Sequence, residues 1–229
     1  MSRDHASSSH LPARPILIED TAEAARLLKE GRVGAIPTET SYGLAASLHQ
    51  PGALKRIFKI KKRPPSKPLL LLISDLSMLE ELTPMPLPPA AERIMEAFWP
   101  GPLTLLLPAK GGLAAEVTGS TSKVGVRMSS SPVASELVRL TGCPITATSA
   151  NLSGLPPCFS PDEVISQLKE EPPDFIVSAQ VPGGVIPRSE PSTILDCTSE
   201  PVRLIRQGAV SQEDLVKAGI PVEPLKGRA

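Results

Sequence analysis

Proline sets the first limit on this chain. It occupies 27 of 229 positions, and each proline fixes φ and removes a backbone donor. Most fall between apolar stretches, so the chain must fold into short regular elements joined by long ordered loops over a compact core. Two adjacent prolines interrupt the densest cluster of charge, Lys59-Ile60-Lys61-Lys62-Arg63-Pro64-Pro65-Ser66-Lys67-Pro68. Five cations in ten residues repel one another, and Pro64-Pro65 stops a helix from continuing and burying them. The purely apolar run Leu69 to Ile73 follows at once and reads as a buried strand. A basic knot beside a buried strand is suited to holding an anion.

Composition narrows which anion and where. The length supports one sizeable core, and 41% hydrophobic residues is ordinary for a globular protein. Basic and acidic residues number 24 each, so anion binding has to come from local clustering. The aromatic residues are Tyr42, Phe58, Phe98, Trp99, Phe159 and Phe175, too few for single-stranded nucleic acid held by stacking. Cys143, Cys158 and Cys197 are odd in number and far apart, which argues against a disulfide framework or a zinc site. His5, His10 and His49 make no metal-ligand spacing. The N-terminus has no apolar signal core and no apolar run is long enough to span a bilayer. The expectation is a soluble cytoplasmic protein with no membrane partner.

The pattern along the chain predicts an α/β fold. Residues 1–14 read as a disordered tail, 15–220 as a single domain and 221–229 as a C-terminal tail. Strands are expected at Ile16–Ile18, Val33–Ile36, Leu69–Ile73, Leu103–Leu107, Lys123–Met128, Ile145–Thr148, Ile176–Val177, Thr193–Leu195 and Val202–Arg206. Helices are expected at Thr21–Lys29 behind the cap Asp20, Pro51–Lys61, Leu76–Leu82, Ala90–Phe98, Pro132–Leu140 and Asp162–Leu168. A last helix starts at Ser211, with Asp214 three residues on. Strands and helices alternate unevenly, which predicts a twisted mixed β-sheet flanked by helices rather than a regular doubly wound fold. The segment Pro37-Thr38-Glu39-Thr40-Ser41-Tyr42-Gly43-Leu44 reads as a hydroxyl-rich loop.

The common nucleotide and hydrolase templates are missing: no P-loop, no G-x-G-x-x-G after a strand, no Gly-x-Ser-x-Gly. Phosphate handling would therefore rest on side-chain cations and loop hydroxyls. Taken singly, each candidate has two readings. Lys61 and Arg63 fit an anion site or a solvated basic turn. Thr38 and Thr40 fit a ligand pocket or a turn with side-chain-to-backbone bonds. Ser149-Ala150-Asn151, Arg127, Arg206 and Ser192-Thr193 are each compatible with ordinary strand ends.

Together and in order, these segments resemble the YrdC-like family of threonylcarbamoyl-AMP synthases. Pro37 to Leu44 resembles its PTET-x-YGL loop, and Lys61-Lys62-Arg63-Pro64 its K-x-R. Trp99-Pro100-Gly101-Pro102-Leu103-Thr104 resembles its W-P-G-P-L-T turn, and Val126-Arg127-Met128 its V-R strand. Ser149-Ala150-Asn151 resembles its S-x-N, with Pro191-Ser192-Thr193-Ile194 and Ile205-Arg206-Gln207-Gly208 as the closing pair. The likeness runs from about Ile16 to Ala218.

The resemblance implies a single domain with a positively charged concave face. It implies an enzyme, a nucleotidyltransferase that turns L-threonine, bicarbonate and ATP into threonylcarbamoyl-AMP and pyrophosphate. That product feeds threonylcarbamoyladenosine formation in tRNA through a downstream transferase complex. Magnesium would come with ATP, held mainly through its phosphates. By the same resemblance Lys61 and Arg63 are catalytic. Lys59, Lys61, Arg63, Ser149, Asn151 and Arg206 bind ATP, with backbone amides near Lys123 assisting. Thr38, Arg127 and Ser192 bind threonine, and Lys62 and Lys67 are solvated charges. Some family members carry a further C-terminal domain, which this chain is expected to lack. It also departs from the pattern after Met128, where Ser129-Ser130-Ser131 stands, and after Gly154, where Pro156-Pro157 leaves one nucleotide contact without its usual side chain. Pro182 to Pro191 reads either as a lid or as an inert surface loop. The alternatives are a non-catalytic module binding double-stranded RNA through a basic face, and a carbamoyl-adenylating domain like that of hydrogenase-maturation proteins. The hydroxyl set disfavours the first. The absence of zinc-finger and acylphosphatase segments disfavours the second.

Overall fold

The structure is a computed structural model that describes residues 14–178 and 184–223; the expected tails lie almost wholly outside these residues. In chain order the elements are β1 (Ile16–Ile18), α1 (Thr21–Lys29), β2 (Gly34–Pro37), β3 (Tyr42–Ala45), α2 (Pro51–Lys61) and β4 (Leu71–Ile73). A 3-10 turn (Leu76–Met78) then leads into α3 (Leu79–Leu82). They continue with α4 (Pro89–Phe98), β5 (Leu103–Pro108), α5 (Ala115–Thr118), β6 (Lys123–Met128), α6 (Pro132–Thr141), β7 (Ile145–Thr146) and β8 (Thr148–Ser149). The last are α7 (Pro161–Gln167), β9 (Phe175–Val177), β10 (Thr193–Asp196), β11 (Val202–Arg206), α8 (Gln212–Lys217) and β12 (Val222–Glu223). Proline opens α2, α4, α6 and α7, where its missing N–H costs nothing. Asp20 caps α1, and Ser211 with Asp214 forms a reciprocal capping box on α8.

The architecture is α/β with mixed pairing, as the sequence predicts, but the strands divide into two sheets. One has five strands in the order β1-β9-β2-β3-β8, the other seven in the order β12-β11-β10-β5-β6-β4-β7. The expected strand over Ile145–Thr148 is broken at Ala147. Its first half pairs antiparallel with β4 in the larger sheet, and its second half pairs antiparallel with β3 in the smaller one. Strand β3 lies within the segment read as a loop. It is fully buried and pairs antiparallel with β2 through Gly34↔Ala45 to Pro37↔Tyr42.

Two packing layers hold the sheets. Helices α1 and α6 press Ala24, Ala25, Leu28, Ala134 and Leu137 onto Ile36, Phe175 and Leu72. Gly34 is required there, since a Cβ would lie 2.3 Å from the Phe175 ring. The larger cluster lies on one face of the seven-stranded sheet and takes Leu103, Leu105 and Leu107 from β5, Val124 and Val126 from β6, and Leu195 from β10. Period-two alternation then commits the opposite face to Thr104, Leu106, Gly125, Arg127 and Ile194. Strand burial in this core therefore fixes which side chains face the cavity described below.

Asp196, at the end of β10, fastens three strands. Its Oδ2 accepts from Lys123 Nζ of β6 at 2.6 Å and from Arg203 Nη2 of β11 at 2.9 Å. Its Oδ1 accepts from the Thr198 N–H at 3.0 Å and the Thr198 hydroxyl at 2.6 Å. Burial alone would raise this carboxyl, but the bonds from Lys123 and Thr198 bring it down to about 2. A depressed folded-state value contributes stability that is present above the ordinary range near 3.8 and lost as pH falls toward 2. Asp196→Asn is therefore expected to lower unfolding free energy at pH 7 by about 2 kcal/mol and to flatten the acid limb in that window. Urea titrations at stepped pH measure both effects.

Candidate functional site

The exposed face of β5, β6 and β10 forms the floor of a cavity of about 600 Å³. The Thr40–Ser41 turn, the Arg63–Leu70 segment, the Ala147–Asn151 turn, and Ser189 to Ser192 with Arg206 complete its walls. Four cations line it, Arg63, Lys67, Arg127 and Arg206, and no carboxylate does among the described residues.

Arg127 lies deepest. It is 2% exposed, donates from Nη1 to Thr40 Oγ1 at 3.1 Å, and stands 3.6 Å from Glu39 Oε1, too far for a hydrogen bond. Its Nε and Glu39 Oε1 are both buried without a partner. Arg206 stands beside it, donating from Nε and Nη2 to the Ser192 carbonyl at 3.1 and 2.7 Å, and from Nη2 to Ser192 Oγ at 3.1 Å. Burial lowers both guanidinium groups. Glu39 partly restores Arg127, whereas the charge of Arg127 lowers Arg206 further. Two adjacent guanidinium groups with one imperfect carboxylate partner form a seat for an anion, and a planar fork suits a carboxylate or phosphate.

The backbone is shaped to hold Arg206 there. Thr193 Oγ1 donates to the Val210 carbonyl at 2.6 Å and accepts from the N–H groups of Gly208 and Val210 at 3.0 and 3.1 Å. A Cβ on Gly208 would lie 2.1 Å from the Pro191 carbonyl oxygen, so only glycine allows the turn after β11 to approach this closely. Ser192 also meets Thr104 hydroxyl to hydroxyl at 3.0 Å.

The basic knot resolves into four different fates. Helix α2 ends at Lys61, and Lys62 turns left-handed at φ 48°. Lys61 is 1% exposed and does not line the cavity. Its Nζ donates to the carbonyl of Ser149, to the carbonyl of Asn151 at 2.8 Å and to Asn151 Oδ1 at 2.9 Å, while its own carbonyl accepts from the Ser153 N–H at 2.9 Å. Lys61 thus clamps the Ser149–Ser153 turn instead of reaching the cavity. Burial, then the charge of Arg63, pushes its ammonium down to about 7.

Arg63 does line the cavity, and burial lowers it. Its Nε and Nη2 are taken by the carbonyls of Lys67 and Pro68 at 2.7 and 2.8 Å. Lys59 is not brought to the site. Its side chain is 71% exposed and pairs with Glu171, because two residues before the end of α2 it points away from Lys61's face. Lys62 pairs with Glu170, as a solvated charge should. Lys67, expected in solvent, is exposed and also stands on the cavity wall.

The remaining expected residues divide as follows. Ser149 and Asn151 line the cavity, and the Ser149 hydroxyl donates to Asn151 Oδ1 at 2.5 Å. Thr38 does not line it. Its hydroxyl donates to the Ser41 carbonyl at 2.7 Å and accepts from the N–H groups of Thr40 and Ser41, so it braces the turn that presents Thr40 and Ser41. The Lys123 N–H meets Thr121 Oγ1 at 3.2 Å and its ammonium meets Asp196, and Lys123 is not among the residues that line the cavity. Leu155 and Pro157 supply apolar wall where the sequence departs from the family pattern.

Of the Pro182–Pro191 segment, residues 182 and 183 lie outside the described residues. Of the rest, Ser189 and Pro191 line the cavity; Ser189 Oγ lies 3.0 Å from the carbonyls of Glu39 and Thr40, and Arg188 bonds Glu163 at 2.7 Å. Thr40, Thr104, Ser189 and Lys67 are among the cavity residues to which sequence reasoning gave no ligand role. A turn whose first hydroxyl is consumed by its own backbone offers the next one outward, and that signal was available at Thr38-x-Thr40.

Removing the Lys61 ammonium withdraws a charged donor from three oxygens: Asn151 Oδ1 keeps the Ser149 hydroxyl and the Ser149 carbonyl keeps the Asn151 N–H, but the Asn151 carbonyl loses its partner. Lys61→Met is expected to cost about 3 kcal/mol of stability and to speed amide exchange across residues 149–153. Lys59→Met should stay within about 0.5 kcal/mol of the parent. Denaturant melts and hydrogen exchange test the pair.

Comparison with known proteins agrees with this geometry. Residues 26–208 match the Sua5/YciO/YrdC family model, described as telomere recombination. A Bacillus subtilis protein named threonylcarbamoyl-AMP synthase is 40% identical over 90% of this chain and 58% of its own length. This chain thus spans little more than half of that relative. A Vibrio vulnificus protein of the same name is 35% identical over 84% of this chain and 100% of its own. The crystal structure of Pyrococcus abyssi Sua5 complexed with L-threonine superposes with a TM-score of 0.83 at 34% identity, covering 92% of this chain and 63% of that one. The family model matched over residues 26–208, with a relative covered end to end, makes this chain a member of the Sua5/YciO/YrdC family.

Proposed function

We propose that this protein is an L-threonylcarbamoyladenylate synthase, a nucleotidyltransferase joining L-threonine, bicarbonate and ATP into threonylcarbamoyl-AMP and pyrophosphate. The observation that carries the reading is the cavity wall with four cations, several hydroxyls and no carboxylate among the described residues. The names of the Bacillus and Vibrio relatives and the threonine-bound Pyrococcus structure support it.

The chemistry asks the protein for position and charge rather than a nucleophile. The threonine amine combines with bicarbonate to give a carbamate, with loss of water. A carbamate oxygen attacks the α-phosphorus, and the bond to the β,γ-pyrophosphate breaks. Both reactants are anions, so their approach needs fixed cations that no acidic side chain neutralises. Arg127, with Thr40 and Ser192 nearby, takes the threonine carboxylate. Arg206, beside Arg127, neutralises the α-phosphate where the carbamate meets it. Arg63 receives the leaving pyrophosphate, and Ser149 and Asn151 bind the nucleotide. The apolar floor of Leu106, Ile194 and Gly125 offers a flat seat for a base. A magnesium ion would be held through ATP phosphate oxygens, since the wall presents no carboxylate to it among the described residues. The product is a mixed anhydride, suited to handing its carbamoyl group to a tRNA adenosine through a partner transferase. No helix among the described residues is long and apolar enough to cross a membrane, in keeping with work in the cytoplasm.

Pyrophosphate release from ATP is expected to require both threonine and bicarbonate. Equal release with glycine, or with no amino acid, would sink the threonine assignment. Tight duplex-RNA binding without any ATP turnover would favour a binding module instead. Arg127→Ala and Arg63→Ala should each lower kcat/KM by about 100-fold or more, and Arg127→Lys should not restore it, because a point charge lacks the fork.

A further inference from the structure

Arg127 has an acidic neighbour that does not close on it. Glu39 Oε1 stops 3.6 Å from Arg127 Nη1, and both that oxygen and Arg127 Nε are buried without a partner. A guanidinium and a carboxylate out of water gain by moving together, so the gap is maintained by whatever holds Glu39. The other carboxylate oxygen shows the restraint: Glu39 Oε2 accepts a hydrogen bond from Ser129 Oγ. Ser129 is 3% exposed, and its Oγ accepts from the Ser131 N–H at 3.2 Å, which leaves the hydroxyl proton for Glu39. Ser131 Oγ donates to the Pro37 carbonyl at 3.1 Å and caps α6. The turn that carries Glu39 is thereby stapled at two points to the turn between β6 and α6. The Glu39 carbonyl is held as well, by Ser189 Oγ at 3.0 Å.

We propose that Ser129 is a positioning residue for threonine binding: its hydroxyl holds Glu39 off Arg127, so that the guanidinium stays available to the substrate carboxylate. The inference rests on the reading above in which Arg127 takes that carboxylate. The physical case is a competition. Two carboxylates contend for one guanidinium fork. The substrate binds at full strength only if Glu39 does not have to be displaced first, and a charge-assisted hydrogen bond to Arg127 would be costly to break. At its observed distance Glu39 still offsets part of the burial cost of Arg127, so it supports the cation without occupying it. Neither Ser129 nor Glu39 lines the cavity, and both act through Arg127.

The test combines steady-state kinetics with calorimetric binding of L-threonine to the full chain. The parent is compared with Ser129→Ala, Glu39→Gln and the double variant. Ser129→Ala is expected to raise KM and Kd for threonine about tenfold. Its kcat at saturating threonine and its KM for ATP should match the parent, because enough threonine displaces Glu39. Glu39→Gln should bind threonine at least as tightly as the parent, since arginine stays protonated without it. The double variant should return to within about threefold of the parent, with no carboxylate left to close on Arg127. Unchanged threonine affinity in Ser129→Ala overturns the inference. A loss that Glu39→Gln fails to rescue also overturns it, since Ser129 would then be a structural brace, and so does an equal loss for ATP. A parent that neither binds threonine nor needs it for turnover overturns the Arg127 reading itself.

Discussion

The site depends on satisfying cations without neutralising them. Arg63 spends two nitrogens on the carbonyls of Lys67 and Pro68, Arg206 two on the carbonyl of Ser192, and Lys61 two of its bonds on the carbonyls of Ser149 and Asn151. A backbone carbonyl meets the hydrogen-bonding demand of a buried donor yet carries no net charge. Each group is therefore fixed in place while its positive potential still reaches the cavity. A carboxylate in the same position would anchor the cation equally well and cancel its field. Arg127 is the partial exception. Its acidic neighbour Glu39 is held slightly too far, at 3.6 Å, with unpartnered atoms on both sides.

This arrangement requires main-chain oxygens to point in unusual directions, and the fold meets that need at the ends of short elements. Carbonyls inside a helix or ladder are already engaged. Those of Ser149, Asn151, Lys67, Pro68 and Ser192 belong to turns or strand ends. The abundance of proline, which keeps elements short and leaves many carbonyls without a ladder partner, suits a chain that binds its cations in this way. Gly208 serves the same end by letting the closing turn approach the Pro191–Thr193 backbone.

Much of the fold was legible because burial writes itself locally. The apolar runs in Leu103–Leu107 and Lys123–Met128 marked both strands, and burial of Leu105 and Val126 in the structure turns Thr104 and Arg127 to the opposite face. The caps at Asp20 and Ser211 marked their helices. Strand β3 was not legible, since Tyr42-Gly43-Leu44-Ala45 is short, holds a glycine and follows a run of hydroxyls that favours a turn. The division into two sheets was hidden because Ile145–Ser149 is unbroken as a pattern. Within the site, the choice among lysines depended on distant partners. Glu170 and Glu171, more than a hundred positions along the chain, decide that Lys59 and Lys62 are spent. Helix phase at the end of α2 decides that Lys61 turns inward. No local feature of Lys-x-Lys-Lys-Arg carries either fact.

The strand that changes sheets at Ala147 has a mechanical consequence. Arg127 and Arg206 ride on the seven-stranded sheet through β6 and β11, whereas Ser149 ends β8 of the five-stranded sheet and the Thr40 turn joins two of that sheet's strands. The walls of one cavity therefore belong to two sheets that meet around Ala147, where a Cβ on Gly43 would lie 3.3 Å from the Ala147 Cα. Any rotation of one sheet on the other changes the gap between the two groups of ligand-facing residues. A molecule that touches both groups acts as a strut across the joint, and the cavity width becomes a single coordinate shared by everything bound in it.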